Sequence, residues 1–506
     1  MSAVAATSRR AGLPALGIVV PLLAAIAAVF VFRGALAYYF SQDDFLGLAR
    51  ASGLAPRLTG VWRYLSHQAF FDLMRPLAGL SAAPYHAVSL ATHAACAALL
   101  AIVLGRIVSR PAALLGAVFF AVHPSLFSAV YWISAIGDSL ALLSALGALL
   151  LALRGDRLRW ASLPLFGLSL LAKESTLLLP AVVVLAARTV RPAPKGTCGV
   201  VIGLGAIAIL HLVASAAGDA FGVRTGLPGE APYSIGFGAH IGVNALTYLG
   251  WTANFILPTV QGFGDAVDRS VFPWAIALFV LWLTGLGSRG LRERGWLAGG
   301  AAFALFLLPV LPLRNHTYHY YLYAPLIGAA WCLAAGFDHA LSRRGNGTAW
   351  VIATACALSL ALNGAMVVRK IETMPFVLPD LRADPTVDRA RIAGNVRESL
   401  TGYAHATGET LLFWSPIGAM LGPQGEALEV FPPRETYWER NVRGALLEGL
   451  AVRVMFPQVA AVRFVRVYQP TAGPHVRYAV YRPDGRLIVA TSAAVDSFIH
   501  AQPQAR

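Results

Sequence analysis

The chain has 506 residues, of which 57% are hydrophobic and only 13% are charged, and its mean hydropathy is +0.62. A soluble domain carries about 25% charged residues, so this composition excludes an ordinary soluble protein and indicates a polytopic membrane protein. The formal net charge is +15, from 40 Lys and Arg against 25 Asp and Glu. Because the basic residues lie in short clusters between apolar runs and form no continuous face, we expect no nucleic-acid partner.

Long apolar runs predict about eleven membrane-spanning helices, each approaching the length needed to cross about 30 Å of hydrocarbon. The first is too long for a cleaved signal sequence and is interpreted as a retained anchor. The runs are 12–36, 85–105, 111–130, 133–153, 158–172, 174–190, 197–217, 272–286, 296–313, 321–338 and 349–368.

Arginine and lysine clusters in the short connections predict the orientation. With about eleven spans they fall on one side, which the positive-inside rule assigns to the cytoplasm together with the N-terminus. The run His240–Leu257 would break this pattern as a span, so we interpret it as an interfacial or pocket-lining helix on the outer face. The outer side then holds residues 38–84, 218–271, the Arg314–Tyr321 turn and everything after about 369.

Residues 369–506 predict a small mixed α/β domain that follows a transmembrane domain, residues 1–368. Asp388–Ala404 has a helical pattern, and strands are expected in the four segments Leu411–Trp414, Ala461–Val467, Val476–Tyr481 and Leu487–Ala490. The last two segments flank Pro483-Asp484-Gly485, which predicts a hairpin. No catalytic motif is recognised there, so structural support or substrate docking is the expected role. The cysteines, with no CxxC or Cys/His spacing, indicate neither a disulfide framework nor a zinc site.

Two adjacent carboxylates, Asp43 and Asp44, follow the first apolar run at the point where the chain leaves the bilayer. Charged groups near hydrocarbon are costly and usually functional, whereas a solvated loop start is the plain alternative. In an extended chain the two side chains point to opposite sides, so only one could face a cavity. We favour Asp44 as the group that faces the acceptor or holds a metal ion.

Two further clusters lie late in this loop and at the next outer turn. Arg75 could pair with a phosphate, or it could simply extend to the membrane interface. His123 and Asp138 lie on two runs joined by a short outer turn, which would bring them to one rim. His123 precedes Pro124, so it could alternatively only cap that turn.

The last two clusters are predicted at the same rim. Lys173 and Glu174 lie between two apolar runs, where Lys173 suits a phosphate and a purely structural ion pair is the alternative. The Arg314–Tyr321 turn concentrates donors and aromatic rings that suit a sugar or a lipid head group, although an aromatic belt would also explain the tyrosines. Its candidate binding residues are His316, Tyr318, His319 and Tyr320.

Together these groups suit the attack of a hydroxyl on a sugar that is carried by a lipid phosphate. A carboxylate would deprotonate the acceptor, or would hold a divalent metal ion as the one cofactor. A cation such as Lys173 would stabilise the leaving phosphate as its charge develops.

Several ordered motifs resemble the membrane part of the GT-C glycosyltransferases. They are Asp43-Asp44, Arg75-Pro76-Leu77, Tyr85–Ala94, His123-Pro124 with Ala129–Ile133, Leu168–Pro180 and Tyr320–Gly328. The pattern is most similar to the transmembrane O-mannosyltransferases with tetratricopeptide repeats and their bacterial relatives, within the protein O-mannosyltransferase and aminoarabinose-transferase clan. The similarity covers about residues 1–340.

This resemblance implies an inverting transferase of the inner membrane that uses a polyprenyl-phosphate sugar on the periplasmic side. It assigns the catalytic base or metal ligand to Asp43 or Asp44 and the phosphate contact to Lys173. The chain departs from the family pattern at Ser128, where Glu is expected, and at residues 135–137, where an Arg is expected before Asp138.

We therefore expect a membrane hexosyltransferase that moves a sugar from a polyprenyl-phosphate donor to a protein, lipid or glycan acceptor. Two alternatives stay open. A transporter of lipid-linked sugar would need charges at mid-membrane and broken helices in matching halves, whereas no internal repeat is recognised and the charges cluster at one rim. A non-catalytic scaffold gains weight from the departures at Ser128 and 135–137.

Overall fold

The architecture is that of a computed structural model, which describes most of the chain from Leu16 onward. The described ranges are 16–190, 194–217, 234–253, 269–342, 348–372, 384–403, 407–414, 419–421, 427–430, 441–465, 475–481, 487–491 and 493–494. Much of the predicted second outer loop and the Pro483-Asp484-Gly485 turn lie outside these ranges.

Almost every predicted apolar run forms a helix. The helices of the membrane part are α1 Leu16–Phe32, α2 Asp44–Ala51, α3 Phe70–Ala78, α4 Ala82–Leu104, α5 Arg110–Ala121, α6 Phe127–Tyr131, α7 Ile136–Ala152, α8 Ser162–Ala172, α9 Leu179–Thr189, α10 Thr197–Ala217, α11 His240–Ala253, α12 Phe272–Leu286, α13 Arg289–Glu293, α14 Trp296–Leu307, α15 Leu326–Leu341 and α16 Thr348–Glu372. The predicted polytopic helical fold is confirmed.

By length and hydropathy, the described residues contain five helices that could cross a membrane, or six if one bent pair counts as a single span. That pair is α5 and α6, which meet at 45° where His123-Pro124 interrupts the helix. Helices α8 and α9 have 11 residues each, about 16 Å at 1.5 Å per residue, and the polar Lys173 turn separates them. The predicted number of about eleven full spans therefore exceeds the five or six that this criterion finds among the described residues.

Some of the connections that the sequence places on one side of the membrane meet in the structure. Asp338, near the end of α15, accepts the backbone N–H of Ser109 at 2.9 Å and pairs with Arg294 at 2.7 Å. These contacts gather the α4–α5, α13–α14 and α15 ends at one end of the bundle. The candidate site residues lie at the other end.

Helices α14 and α15 approach closely at two glycines. An ideal Cβ on Gly328 would lie 2.3 Å from the backbone N of Phe303 and 2.5 Å from the carbonyl O of Gly299. Both neighbours are backbone atoms that cannot move aside separately. The contact is a small-residue interface of the kind that holds membrane helices together.

We expect Gly328→Ala to lower the free energy of unfolding by about 1–3 kcal/mol, because the added methyl group forces α14 and α15 apart. Thermal unfolding of the detergent-solubilised chain measures the effect. Gly205→Ala in α10 is the matched control, since no atom lies within 4 Å of its ideal Cβ. An equal loss of stability in both variants would contradict the close approach.

The C-terminal part contains the predicted mixed α/β unit. It comprises α17 Pro385–Thr401, β1 Glu409–Trp414, β2 Ala419–Leu421, β3 Ala427–Val430, α18 Leu450–Met455, β4 Val459–Val465, β5 Val476–Tyr481 and β6 Leu487–Thr491. One sheet has the order β4-β1-β5-β6, with β1 parallel to both neighbours and β5 antiparallel to β6. The pairing of β5 with β6 confirms the predicted hairpin.

This unit shares a hydrophobic core with residues 38–84, the first outer loop. Phe40, Phe45 and Phe71 belong to the same buried cluster as Ile392 and Phe413 of the C-terminal part. The backbone N–H of Gln42 also donates to the carbonyl of Ala445 at 3.1 Å. The segment that carries Asp43 and Asp44 is therefore held between the membrane helices and the C-terminal unit.

Candidate active site

Asp43 and Asp44 stand at the start of α2 and differ sharply in their surroundings. Asp44 is 1% exposed, and its carboxylate accepts the backbone N–H of Ser41 at 2.9 Å and that of Ser134 at 2.7 Å. It thereby ties the loop to the turn before α7. Asp43 is exposed. Because the chain turns into a helix here, successive side chains diverge by about 100°, and only Asp43 points away from the core.

Burial raises the pKa of Asp44 to about 7, although hydrogen bonds from Ser41 and Ser134 act in the opposite direction. A carboxyl whose pKa is higher in the folded state stabilises the fold at low pH, and this contribution is lost as the pH rises through the folded pKa. The loss between pH 5 and pH 8 is about 2–3 kcal/mol.

We therefore expect the apparent unfolding temperature of the wild type to fall between pH 5 and pH 8, relative to that of Asp44→Asn. The Asn side chain cannot ionise, so its burial carries no cost that grows with pH. Thermal unfolding across this pH range measures the difference between the two slopes. Parallel slopes would show that Asp44 does not titrate there.

Asp43 is surrounded by basic groups. Partial desolvation raises the pKa of Asp43, whereas the guanidinium groups of Arg389, Arg50 and Arg63 lower it. Arg389 comes from α17 of the C-terminal unit, where it also donates to the side chain of Gln42. The exposed carboxylate therefore has cations from both the first outer loop and the C-terminal unit beside it.

Two neighbouring ion pairs join the first outer loop, α7 and the turn after α8. Lys173 Nζ is 2.7 Å from Asp138 Oδ2, and both side chains are buried. Arg63 Nε is 3.0 Å from Glu174 Oε2, and its second guanidinium nitrogen also binds Glu174. Burial would raise the pKa of Glu174, but the Arg63 charge outweighs it and holds this pKa at about 2. The predicted rim residues Asp138, Lys173 and Glu174 thus form one charged cluster.

His67 belongs to the same cluster and lies in a π-helical turn, Leu65–Ala69. Burial, with the nearby Arg63 and Lys173 charges, lowers its pKa to about 3. Ser66 Oγ lies 2.7 Å from the carbonyl of Ala172 and 2.9 Å from His67 Nδ1. If Ser66 donates to that carbonyl, the neutral imidazole donates through Nδ1.

The Arg314–Tyr321 turn forms an aromatic wall beside the charged cluster. Lys173 Nζ lies 4.8 Å from the ring centroid of Tyr320 and 5.3 Å from that of Tyr321. Tyr320 stacks on Tyr318 and binds His316 Nε2 through its hydroxyl at 2.9 Å. The structure therefore brings His316, Tyr318 and Tyr320 to Lys173, as the sequence predicts for a single rim.

His319 and His123 point into the protein. His319 is buried, with its ring 4.2 Å from that of Trp251. His123 is fully buried; Nδ1 accepts the backbone N–H of Ser125 at 3.2 Å, and Nε2 lies 3.3 Å from the carbonyl of Thr252. This geometry matches the alternative in which His123 caps the turn, and its binding role stays a prediction.

Arg75 lies in the last turn of α3. Burial raises the pKa of the Tyr39 hydroxyl, and the charge of Arg75 acts in the opposite direction. Its Nε is buried and makes no hydrogen bond within the described residues, and the same holds for Nε of Arg50 and Arg389. An unsatisfied buried N–H is costly unless a ligand accepts from it. Three guanidinium groups of the outer part therefore retain donor capacity.

The donor set does not fit a divalent metal ion at Asp44. Both of its carboxylate oxygens accept backbone N–H groups, and the groups around Asp43 are cationic. Within the part of the chain that the structure describes, no three His, Cys, Asp or Glu side chains gather to hold a metal. A divalent metal ion requires several oxygen or nitrogen ligands, which the groups around Asp43 and Asp44 do not supply.

Sequence reasoning missed Arg50, Arg63, His67 and Arg389. Arg63 has a positive φ of 49°, and no residue pattern around Trp62-Arg63-Tyr64 indicates this backbone conformation. Arg389 lies about 350 residues after Asp43 in a unit without a recognised motif. The one available signal was the number of arginines in an outer loop that the positive-inside rule expects to be poor in them.

The comparisons with known proteins give few matches. No protein-family model matches the chain, and no curated protein matches it. One similar solved structure is the crystal structure of ArnT from Cupriavidus metallidurans bound to undecaprenyl phosphate, with 13% sequence identity and a TM-score of 0.45. The alignment covers 96% of this chain and 99% of that chain. At this identity and score, the likeness assigns no residue and no activity to this chain.

Proposed function

We propose that this protein is a membrane glycosyltransferase of the GT-C type, which moves a sugar from a polyprenyl-phosphate donor to an acceptor hydroxyl on the periplasmic face. The observation that carries the proposal is the exposed Asp43 carboxylate beside Arg63, which belongs to the same charged cluster as Lys173 and its aromatic wall at one end of the bundle. The sequence resemblance to the protein O-mannosyltransferase clan supports the same chemistry.

In the proposed reaction, the Asp43 carboxylate accepts the proton of the acceptor hydroxyl. The acceptor oxygen forms a bond to the anomeric carbon, and the bond from that carbon to the phosphate oxygen breaks with its electron pair leaving on the phosphate. A direct displacement of this kind inverts the anomeric carbon. Arg63 and Lys173 supply positive charge where the leaving phosphate develops negative charge.

Asp43 is better suited to be the base than its neighbours. Asp44 is enclosed, and its oxygens already accept two backbone N–H groups. His67 is neutral at pH 7, but a pKa of about 3 makes it a weak base. Asp43 combines access from outside with a raised pKa.

Arg63 compensates for one departure from the family pattern. The expected Arg before Asp138 is absent, and Gly137 allows close contact: its ideal Cβ would lie 3.0 Å from Ser66 Oγ and 3.0 Å from the Ala172 carbonyl. The turn that contains Ser66 therefore fits against α7, and Arg63, just before this turn, pairs with Glu174, the neighbour of the Lys173 that binds Asp138. The cation missing from 135–137 is supplied by the first outer loop.

The proposal is tested with the full chain in proteoliposomes and a panel of radiolabelled polyprenyl-phosphate sugars. Label is counted in lipid, glycan and protein acceptor fractions, with nucleotide sugars as control donors. We expect transfer from at least one polyprenyl-phosphate sugar and none from nucleotide sugars. Movement of the intact donor across the bilayer without transfer would favour a transporter, and binding of donor without either event would favour a scaffold.

A further inference from the structure

A second site lies at the opposite end of the bundle from Asp43. A groove of about 190 Å³ opens between α1, α4 and α5, at the C-terminal end of α4 and the N-terminal ends of α1 and α5. Helix α4 has 23 residues, about 34 Å at 1.5 Å per residue, and its other end lies beside the first outer loop. The groove is thus about one membrane thickness away from the proposed active site.

The groove is apolar along its walls and basic at its mouth. Val20, Ala101 and Ala113 line the walls, and the exposed arginines Arg106 and Arg110 lie at the end where the helices leave the bilayer. At the same end of the bundle, Asp338 binds Arg294 and the backbone N–H of Ser109. The groove therefore presents positive charge next to an apolar slot.

We propose that this groove binds an anionic phospholipid, with the phosphate at Arg106 and Arg110 and an acyl chain along α1 and α4. Basic pockets between membrane helices on the arginine-rich side bind anionic lipids. The apolar walls contact the acyl chain, and the guanidinium groups bind the phosphate of the head group. The apolar walls favour a lipid over free phosphate, which has no group to place against Val20 and Ala101.

Small residues make the groove. Gly17 and Gly105 line it, and an ideal Cβ on Gly17 would meet only one atom, an Arg110 guanidinium nitrogen at 4.0 Å. A larger side chain at position 17 therefore fits without displacing the backbone and fills the slot. Gly17→Leu is a steric probe that leaves both arginines in place.

The test is native mass spectrometry of the full chain in detergent, titrated with phosphatidylglycerol or phosphatidylcholine. We expect the wild type to bind phosphatidylglycerol about tenfold more tightly than phosphatidylcholine, and Arg106→Gln with Arg110→Gln to remove this preference. Gly17→Leu should weaken phosphatidylglycerol binding with both charges present. The readout does not depend on glycosyl transfer, so it stands apart from the proposed function.

The matched control is the pair Arg157→Gln and Arg188→Gln, which removes two exposed arginines outside the groove. It should leave the phosphatidylglycerol preference within twofold of the wild type. An equal loss in the control would show a general surface attraction and overturn the proposal. So would an unchanged preference in Arg106→Gln with Arg110→Gln, or displacement of the lipid by millimolar inorganic phosphate.

Discussion

Replacing Asp43 with Asn is expected to reduce the transfer rate by about 10³-fold, within the range that removal of a general base causes. The substitution keeps the size of the side chain and removes its ability to accept a proton. Because Asp43 is exposed, we expect the unfolding temperature to change little. Initial rates of sugar transfer at saturating donor, together with thermal unfolding, measure both effects.

Asp44→Asn is the neighbouring control for this prediction. It should lower stability, because its amide NH₂ cannot accept the backbone N–H that a carboxylate oxygen accepts from Ser41 or Ser134. Any loss of transfer should then follow the loss of folded protein. If Asp44→Asn abolished transfer in fully folded protein while Asp43→Asn remained active, the assignment of the base would be wrong.

Breaking the Lys173–Asp138 pair is expected to have the largest effect on stability. Lys173→Met or Asp138→Asn leaves an uncompensated charge in a buried position, and such a loss costs about 3–5 kcal/mol. The side chains are 7% and 2% exposed, so water cannot replace the missing partner. Thermal unfolding of each single variant in detergent measures this cost.

The double variant Lys173→Met with Asp138→Leu separates stability from function. Removing both charges leaves no unpaired group, so stability should return close to that of the wild type. Transfer should remain low, because the cation beside Tyr320 and Tyr321 is gone. Additive destabilisation in the double variant would contradict the pairing, and full transfer in it would show that Lys173 is purely structural.

The helices were predictable because apolar periodicity and length are local properties of the sequence. The runs 85–105 and 197–217 correspond closely to α4 Ala82–Leu104 and α10 Thr197–Ala217. The run 111–130 was not recognised as broken, although His123-Pro124 marks the break. Proline lacks the backbone N–H that a continuous helix needs, and the chain bends by 45° there.

The choice between Asp43 and Asp44 depended on a wrong assumption about the backbone. The alternation argument treated the chain as extended, whereas α2 begins at Asp44. A further difficulty is that Ser134, one of the two backbone donors to Asp44, comes from a distant part of the chain. Sequence separation of this kind also hid Arg389, whose proximity to Asp43 depends on how the C-terminal unit docks.

The cluster of Asp138, Lys173 and the tyrosines could be predicted, because short connections between spans must meet at one end of the bundle. The ion-pair partner of each residue in this cluster could not be predicted. The sequence places Glu174 beside Lys173, yet Lys173 binds Asp138 and Glu174 binds Arg63. Adjacent residues on the turn after α8 point in different directions, so the partner of each is set by the tertiary fold.

The most direct test of the account is the anomeric configuration of the transferred sugar, determined by nuclear magnetic resonance on the product of a single turnover. Activation of the acceptor by Asp43 requires direct displacement at the anomeric carbon. We therefore predict a product inverted relative to the polyprenyl-phosphate donor with the wild type, and none in the same time with Asp43→Asn. A product that retains the donor configuration would contradict the account.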